Sequence, residues 1–86
     1  MKTGQWVMTR VINAKMKEDE KFAQFVIDCY GKYLKQDWGD TCEEDWKLND
    51  AAVKNGNDRI VAKYDNIFII TEWDRSVTTI LFTEEY

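Results

Sequence analysis

The stretch RIVAKYDNIFIITEWDRSVTTILF, residues 59–82, decides the fold that this sequence predicts. Three runs within it are rich in β-branched and aromatic residues, which is typical of strands. These runs cover residues 59–64, 67–73 and 77–82. Asp65 and Asn66 separate the first two runs and suit a tight two-residue hairpin turn, and residues 74–76 form a second turn. The stretch therefore predicts an antiparallel three-stranded meander.

Side-chain alternation along these strands assigns their residues to two faces of the predicted sheet. One face is expected to contain Ile60, Ala62, Tyr64, Ile67, Ile69, Trp73, Val77 and Leu81. The opposite face is expected to contain Phe68, Ile70, Ile80 and Phe82. Because the middle strand is apolar on both faces, we expect it to lie inside the sheet.

Two helices and a further strand precede this stretch in the predicted fold. The helix over residues 18–36 has a continuous apolar stripe, with acids at its start and lysines at its end as the helix dipole favours. The stripe consists of Phe22, Phe25, Val26, Cys29, Tyr30, Tyr33 and Leu34. The next helix is expected to begin with a capping box of Thr41 and Glu44 and to stop at Asn55-Gly56. Residues 4–16 show a two-residue alternation that predicts an N-terminal strand.

These elements predict a single α+β domain covering residues 1–86. Its element order is β-α-α-β-β-β, with both helices packed on one face of an antiparallel sheet made from the N-terminal strand and the C-terminal meander. A chain of 86 residues is too short for a second independent core. No segment approaches the roughly 20 apolar residues that cross a bilayer. Since the N-terminus also lacks the features of a signal peptide, the sequence predicts a cytoplasmic protein.

The composition restricts the chemistry that the protein can perform. The chain contains no histidine, so the Ser-His-Asp and Cys-His arrangements and the usual general base near neutral pH are missing. Phosphate-binding and dinucleotide-binding glycine motifs are missing as well. Cys29 and Cys42 alone cannot supply the four ligands of a zinc site, and in a reducing cytosol we expect free thiols. The sequence therefore predicts a non-enzymatic protein with no cofactor and no metal.

The negative charge of the chain is concentrated in one segment. Residues 37–50 contain six acids and one lysine, a sum of −5, whereas the other residues contain ten acids and eleven bases, a sum of +1. This distribution disfavours direct binding of nucleic acid, because affinity for phosphates depends on the cations that a protein supplies. We expect the partner to be a basic protein surface, with no contact to nucleic acid or membrane.

The acids of this segment also have explanations that involve no partner. Capping and dipole effects account for Glu43, Glu44 and Asp45 at the start of a helix. They do not account for Asp37 and Asp40, which precede that helix. A hard cation bound in this loop is a second alternative, although the spacing of the acids does not match an EF-hand.

Glu72 and Asp74 are the best candidates for a catalytic carboxylate pair, which is a third alternative. Alternation places these two acids on opposite faces of their strand, so they diverge. An exposed ion pair of either acid with Arg75 explains them more simply and contributes under about 1 kcal/mol.

Of the tryptophans at positions 38, 46 and 73, Trp38 is the one that we expect to be exposed, because it lies in the acidic loop. An exposed tryptophan surrounded by carboxylates is a suitable anchor for an arginine-rich partner. The predicted partner-binding site consists of Asp37, Trp38, Asp40, Glu43, Glu44 and Asp45.

A set of short motifs runs through residues 37–86. They are Asp37-Trp38-Gly39, Glu44-Asp45, Asn49-Asp50, Arg59-Ile60, Tyr64, Ile69-Ile70-Thr71-Glu72, Asp74-Arg75-Ser76, Thr78-Thr79-Ile80-Leu81 and Glu85-Tyr86. Together they resemble a family of small, uncharacterised, plasmid-related proteins found on bacterial plasmids, conjugative elements and prophages. Thr83 stands where that pattern leads us to expect proline, and residues 1–36 contain none of its motifs.

The resemblance implies origin on a mobile genetic element, but no activity, cofactor or active site. Mobile elements encode compact acidic proteins that occupy the nucleic-acid channels of host restriction or CRISPR nucleases. Combined with the acidic segment, the resemblance favours an anti-restriction or anti-CRISPR inhibitor that docks on a nuclease or its guide complex, as a monomer or homodimer. The alternative is an element-encoded regulator of plasmid replication or transfer that binds its partner through the strand edge at residues 77–82.

Overall fold

The computed structural model of the protein describes all of residues 1–86. Strand β1 (Gln5–Met8) is followed by helices α1 (Arg10–Glu18), α2 (Glu20–Leu34) and α3 (Glu43–Asn55). Strands β2 (Ile60–Tyr64), β3 (Ile67–Thr71) and β4 (Val77–Phe82) come next, with a 3-10 turn at Thr83–Glu85. The α+β class is as predicted, whereas the prediction of two helices is wrong because there are three. None of the helices has the length and apolar character that crossing a membrane requires.

The four strands form one mixed sheet in the order β1-β4-β3-β2. The antiparallel meander β2-β3-β4 is confirmed, and Asp65 and Asn66 form its first turn. The prediction of a wholly antiparallel sheet is wrong, since β1 pairs parallel to β4. Consequently β4 lies inside the sheet, and residues 77–82 offer no free strand edge for a partner. The two outer strands are β1 and β2.

The N-terminal strand is shorter than its two-residue alternation predicts. It stops at Met8, because the Thr9 hydroxyl accepts a hydrogen bond from the Ile12 N–H at 3.2 Å and so caps α1. Ile12 is fully buried and Met16, one turn later, is half-buried. The apolar residues of this segment therefore have helical spacing. Over a few positions the same residues also fit the two-residue alternation of a strand.

Helix α2 and its apolar stripe are largely as predicted. Asp19 caps it by accepting from the Lys21 and Phe22 N–H groups. The centre of the stripe is buried, while two residues at its margin stay partly exposed. The buried residues are Phe22, Val26, Cys29 and Tyr33, and the exposed ones are Tyr30 and Leu34.

The predicted face assignment is correct for β2 and wrong for β4. Ile80 lies opposite Ile69 and Phe82 opposite Ile67, so Ile80 and Phe82 share the buried face that the helices cover. Val77 and Leu81 lie on the other face and are half-buried. A strand's alternation fixes which residues share a face, but the turn before it decides which face that is.

A chain of buried hydroxyl groups connects α2 to the sheet. The Thr78 hydroxyl donates to the Thr3 carbonyl at 2.6 Å and accepts from Thr71 at 2.7 Å, and Thr71 in turn accepts from the Tyr33 hydroxyl at 2.6 Å. The direction of donation is fixed, because each hydroxyl has a single hydrogen. Burial raises the pKa of Tyr33 to about 12.

Arg75 is buried and joins the β3–β4 turn to the end of α3. Its guanidinium donates to the carbonyl of Ala52 at 2.8 Å and to that of Asp58 at 2.6 Å, with further donation to the carbonyls of Glu72 and Trp73. The expected ion pair between Arg75 and a neighbouring acid is therefore wrong. A cation suits this place, since the last carbonyls of a helix form its negative end.

Candidate functional site

The loop between α2 and α3 lies along the outer edge of β2. The Asp40 N–H donates to the Lys63 carbonyl at 2.8 Å, and the Lys63 N–H donates to the Thr41 hydroxyl at 2.9 Å. The Tyr64 hydroxyl donates to the Asp37 carbonyl at 2.7 Å. Residues 37–41 are thus held in a fixed position against the sheet by hydrogen bonds to β2.

Gly39 allows this close approach. It has a positive φ of 63°, and a Cβ atom there would lie 2.4 Å from a ring carbon of Tyr64. Any other residue would be strained in its backbone and would collide with that ring. The glycine therefore lets the loop lie flat on Tyr64, with Trp38 directed into the protein.

Trp38 is the one predicted site residue that does not lie at the surface. Its side chain is 0% exposed, and its ring meets the Tyr33 ring edge-on at 5.2 Å between centroids. The indole Nε1–H donates to Asp50 Oδ1 at 2.9 Å. Trp38 therefore belongs to the core and cannot anchor a partner. The exposed tryptophan is Trp73, at 64%, which lies at the far end of the sheet from this loop.

The five predicted acids are all exposed. Two of them hold backbone groups of the site: Asp37 accepts from the Gly39 N–H at 3.1 Å, and Asp40 accepts from the Asp65 N–H at 2.7 Å. Glu43 is the only one in an ion pair, with Lys47 at 3.6 Å. That pair is highly exposed and is worth under about 1 kcal/mol. The remaining acids have no cationic partner, because the other ion pair of the protein joins Arg59 to Glu72.

Asp65 adds a sixth carboxylate that sequence reasoning missed. It occupies the β2–β3 turn with a φ of 55°, is exposed, and contacts Asp40 through its own N–H. The sequence shows the turn but not that the 37–41 loop lies beside it. We call this surface the acidic edge: Asp37, Asp40, Glu43, Glu44, Asp45 and Asp65.

The start of α3 differs from the predicted capping box. Cys42 is the N-cap and makes no side-chain cap hydrogen bond. The Thr41 hydroxyl is unavailable, because it donates to the Trp38 carbonyl at 2.6 Å and accepts from β2. Glu43, Glu44 and Asp45 still occupy the first turn, where the helix dipole stabilises negative charge. At the other end, Gly56 has the left-handed conformation that the predicted stop requires.

Asn49 holds α3 against β2 and was also missed. Its side chain, in a residue that is 3% exposed, donates to the Val61 carbonyl at 2.9 Å and accepts from the Val61 N–H at 3.2 Å. Asn49 thus satisfies the outward backbone groups of Val61, and Thr41 and Asp40 satisfy those of Lys63. The sequence does contain a signal, since Asn49 lies on the inner face of α3 with Trp46 and Val53.

An apolar side chain is available beside the acidic edge. Leu48 is 65% exposed and lies one turn after Glu44 and Asp45 on α3. A shallow depression of about 310 Å³ separates α3 from the open face of the sheet, with Asp40 and Asp45 at one side and Lys63 at the other. The surface thus offers carboxylates and one exposed leucine. Four lysines are nearby: Lys63 across the depression, Lys47 paired with Glu43, and Lys32 and Lys35, which line a second depression with Asp37.

The other candidate chemical groups are separated from one another. Cys29 and Cys42 are free thiols, as predicted, and burial raises the pKa of Cys29 to about 11. Glu72 pairs with Arg59 at 3.7 Å. Hydrogen bonding from the Ser76 side chain, and then from the Ser76 N–H, lowers the pKa of the Asp74 carboxyl. Nowhere do three or more Cys, Asp or Glu side chains gather in a way that could hold a metal ion.

Comparison of this chain with protein-family models, with curated proteins and with solved structures finds no match. The resemblance to plasmid-related proteins therefore stays a prediction, and the proposals below rest on the chemistry of the chain's own residues.

Proposed function

We propose that this is a non-enzymatic protein-binding module whose acidic edge docks on a lysine- and arginine-rich surface of a nucleic-acid-binding protein. The observation that supports this most is the state of the carboxylates: all six are exposed, and only Glu43 has a cationic partner. Unpaired charge of one sign steers association with a surface of the opposite sign.

The arrangement of these acids favours docking as a rigid surface. Hydrogen bonds to β2 hold the loop that bears Asp37 and Asp40, and Asn49 holds the helix that bears Glu43, Glu44 and Asp45. A preorganised surface loses less conformational entropy on binding than a flexible one. Leu48 takes the anchoring role that the buried Trp38 cannot fill.

The biological role that we propose is inhibition of a host restriction or CRISPR nuclease. A row of carboxylates on a small rigid protein can occupy a channel whose lysines and arginines otherwise bind phosphates. The mobile-element origin expected from the sequence motifs is consistent with this role. The alternative, a regulator of plasmid replication or transfer, loses its expected binding face because β4 lies inside the sheet.

Plasmid transformation into strains with defined restriction or CRISPR systems tests this proposal. Co-expression of the protein is expected to raise the transformation efficiency of a targeted plasmid in at least one strain. The double variant Glu44→Lys and Asp45→Lys should abolish protection, because it reverses two exposed charges that make no hydrogen bond. Lysine at these places costs about 0.3–1 kcal/mol each through the helix dipole, so the variant should remain folded.

The matched control is the double variant Glu18→Lys and Glu84→Lys, which changes the net charge equally outside the acidic edge. It should protect as well as the natural sequence. Full protection by the folded Glu44→Lys/Asp45→Lys protein would contradict docking through this surface. Absence of protection by the natural sequence in every strain would contradict the inhibitor role.

A further inference from the structure

The outer edge of β1 differs from that of β2 because nothing covers it. The Gln5 amide donates to the carbonyl of Ser76, just before β4, and the Thr9 amide donates to that of Ile80 in β4, both at 3.1 Å. In a parallel ladder the bonding residues alternate, so Val7 also faces β4 while Trp6 and Met8 direct their N–H and C=O groups outward. Natural sheets usually protect such an edge, as Asn49 and Thr41 do for β2.

An apolar groove runs beside this free edge. It has a volume of about 350 Å³, which lies in the range of ligand-binding pockets, and it is lined only by hydrophobic residues. Trp6 and Met8 line it from β1, Met16 lines it from α1, and Ile27 and Tyr30 line it from α2. Ile27 is 56% exposed. A strand added to β1 would therefore place alternate side chains against these residues.

Cations outnumber acids around this edge: the acid that lies next to Arg10 is Glu85, whose carboxylate accepts from the Thr9 hydroxyl at 3.0 Å. Residues 1–17 contain Lys2, Arg10, Lys15 and Lys17 and no Asp or Glu. Lys2 and Arg10 flank the two ends of β1, are exposed, and take part in neither of the two ion pairs. On the neighbouring part of α2, the charges of Asp28 and Lys32 cancel. The occupant that complements this surface is acidic at its ends and apolar in its middle.

We propose that β1 binds an extended peptide segment of a partner protein by strand addition, with alternate apolar side chains of the segment in the groove and acidic residues beside Lys2 and Arg10. Backbone hydrogen bonds to Trp6 and Met8 provide the pairing, and the groove and the cations provide the selectivity. In the sheet order β1 lies three strand positions from β2, about 14 Å across the sheet, and the acidic edge lies beyond β2.

A second copy of this chain fits the same edge less well. Antiparallel pairing of β1 with β1 about a twofold axis at Trp6 would place Arg10 of each copy opposite Lys2 of the other, and like charges across strands destabilise pairing. Head-to-tail pairing with the β2 edge of another copy is disfavoured, because Asn49, Thr41 and Asp40 already satisfy that edge.

Fluorescence polarisation with a labelled peptide of alternating Val and Leu residues between Glu pairs tests the proposal. The peptide should bind at least tenfold more tightly than the same peptide with Lys pairs. Ile27→Glu in the protein should weaken binding at least tenfold, since it puts an acid in the groove at an exposed position. Ala51→Glu, which adds the same charge at an exposed position of α3, should leave binding unchanged.

Amide hydrogen exchange of the complex distinguishes strand addition from binding in the groove alone. The Trp6 and Met8 amides should exchange fast in the free protein and become at least tenfold slower with bound peptide, while the Val7 amide is slow in both states. Peptide binding without that protection would overturn strand addition, and equal binding of the Lys-bearing peptide would overturn the charge requirement. A concentration-dependent dimer in sedimentation, with Trp6 and Met8 protected, would show that a second copy covers the edge. Absence of binding at millimolar peptide would also overturn the proposal.

Discussion

Replacing Asn49 with alanine removes both hydrogen bonds that hold α3 against the outer edge of β2. The side chain of Asn49 donates to the Val61 carbonyl and accepts from the Val61 N–H. In the variant both of these backbone groups lose their protein partner. The amide side chain itself is buried, so its removal also leaves a space between helix and strand.

The expected cost follows from the number of groups left without a partner. A buried donor or acceptor without a partner costs about 1–3 kcal/mol. Because Val61 is half-buried and water reaches it in part, we take the lower half of that range for each of its two groups, which gives roughly 2–4 kcal/mol in total. For a domain of this size that loss lowers the Tm by roughly 10–30 °C.

Urea denaturation followed by circular dichroism measures this loss, with Asn55→Ala as the matched control. Asn55 is exposed in the last turn of the same helix, so its replacement should change the free energy of unfolding by less than about 0.5 kcal/mol. Hydrogen exchange should also show that the Val61 amide loses protection in Asn49→Ala. A destabilisation below about 0.5 kcal/mol, or an unchanged Val61 amide, would refute the role given to Asn49.

Three further predictions concern buried polar groups. Thr71→Val should destabilise the protein by about 1–3 kcal/mol in urea denaturation, because it removes the acceptor of the buried Tyr33 hydroxyl without changing the shape of the core. Ellman's reagent should label Cys42 at once. It should label Cys29 only as fast as the protein unfolds locally around it, since Cys29 is buried and its raised pKa disfavours the reactive thiolate. The urea midpoint should fall as the pH rises from about 9 towards 12, because burial raises the pKa of Cys29, Tyr33 and Tyr64, so that the unfolded chain loses protons which the folded chain keeps.

The first two of these predictions have a control within the chain. Thr79→Val changes a half-buried threonine that makes no side-chain hydrogen bond and should be nearly neutral. In Cys42→Ser, only the slow labelling of Cys29 should remain. Two fast thiols, or a urea midpoint that does not move above pH 9, would contradict the burial described for Cys29 and the two tyrosines.

The C-terminal meander could be predicted from the sequence because its information is local. The Asp65-Asn66 turn and the alternation of the flanking strands specify a hairpin without reference to the rest of the chain. Helix α2 was predictable for the same reason, from one uninterrupted apolar stripe. By contrast, α1 is short, and over a few residues its apolar pattern fits a strand equally well.

The remaining errors come from contacts between segments far apart in the chain. Pairing of β1 with β4 depends on how the segments between them pack, because three helices and two strands separate the two partners along the chain. Trp38 is buried because its ring packs against Tyr33 and its N–H donates to Asp50. Neither contact can be predicted from the sequence of the acidic loop alone. Asp65 joins the acidic edge for an equally non-local reason, since its N–H meets Asp40. The exposed acids themselves were predictable, because carboxylates rarely become buried without a partner.

Titration of the isotope-labelled protein with a hexa-arginine peptide, followed by amide chemical shifts, tests most directly whether the acidic edge is the protein's docking surface for cations. We expect shift changes confined to residues 37–45 and Asp65, which are lost at high salt and in the Glu44→Lys/Asp45→Lys variant. Equal shift changes around Glu18, Glu20 and Glu84 would contradict the claim, because they would show that the peptide does not distinguish the acidic edge from other exposed acids.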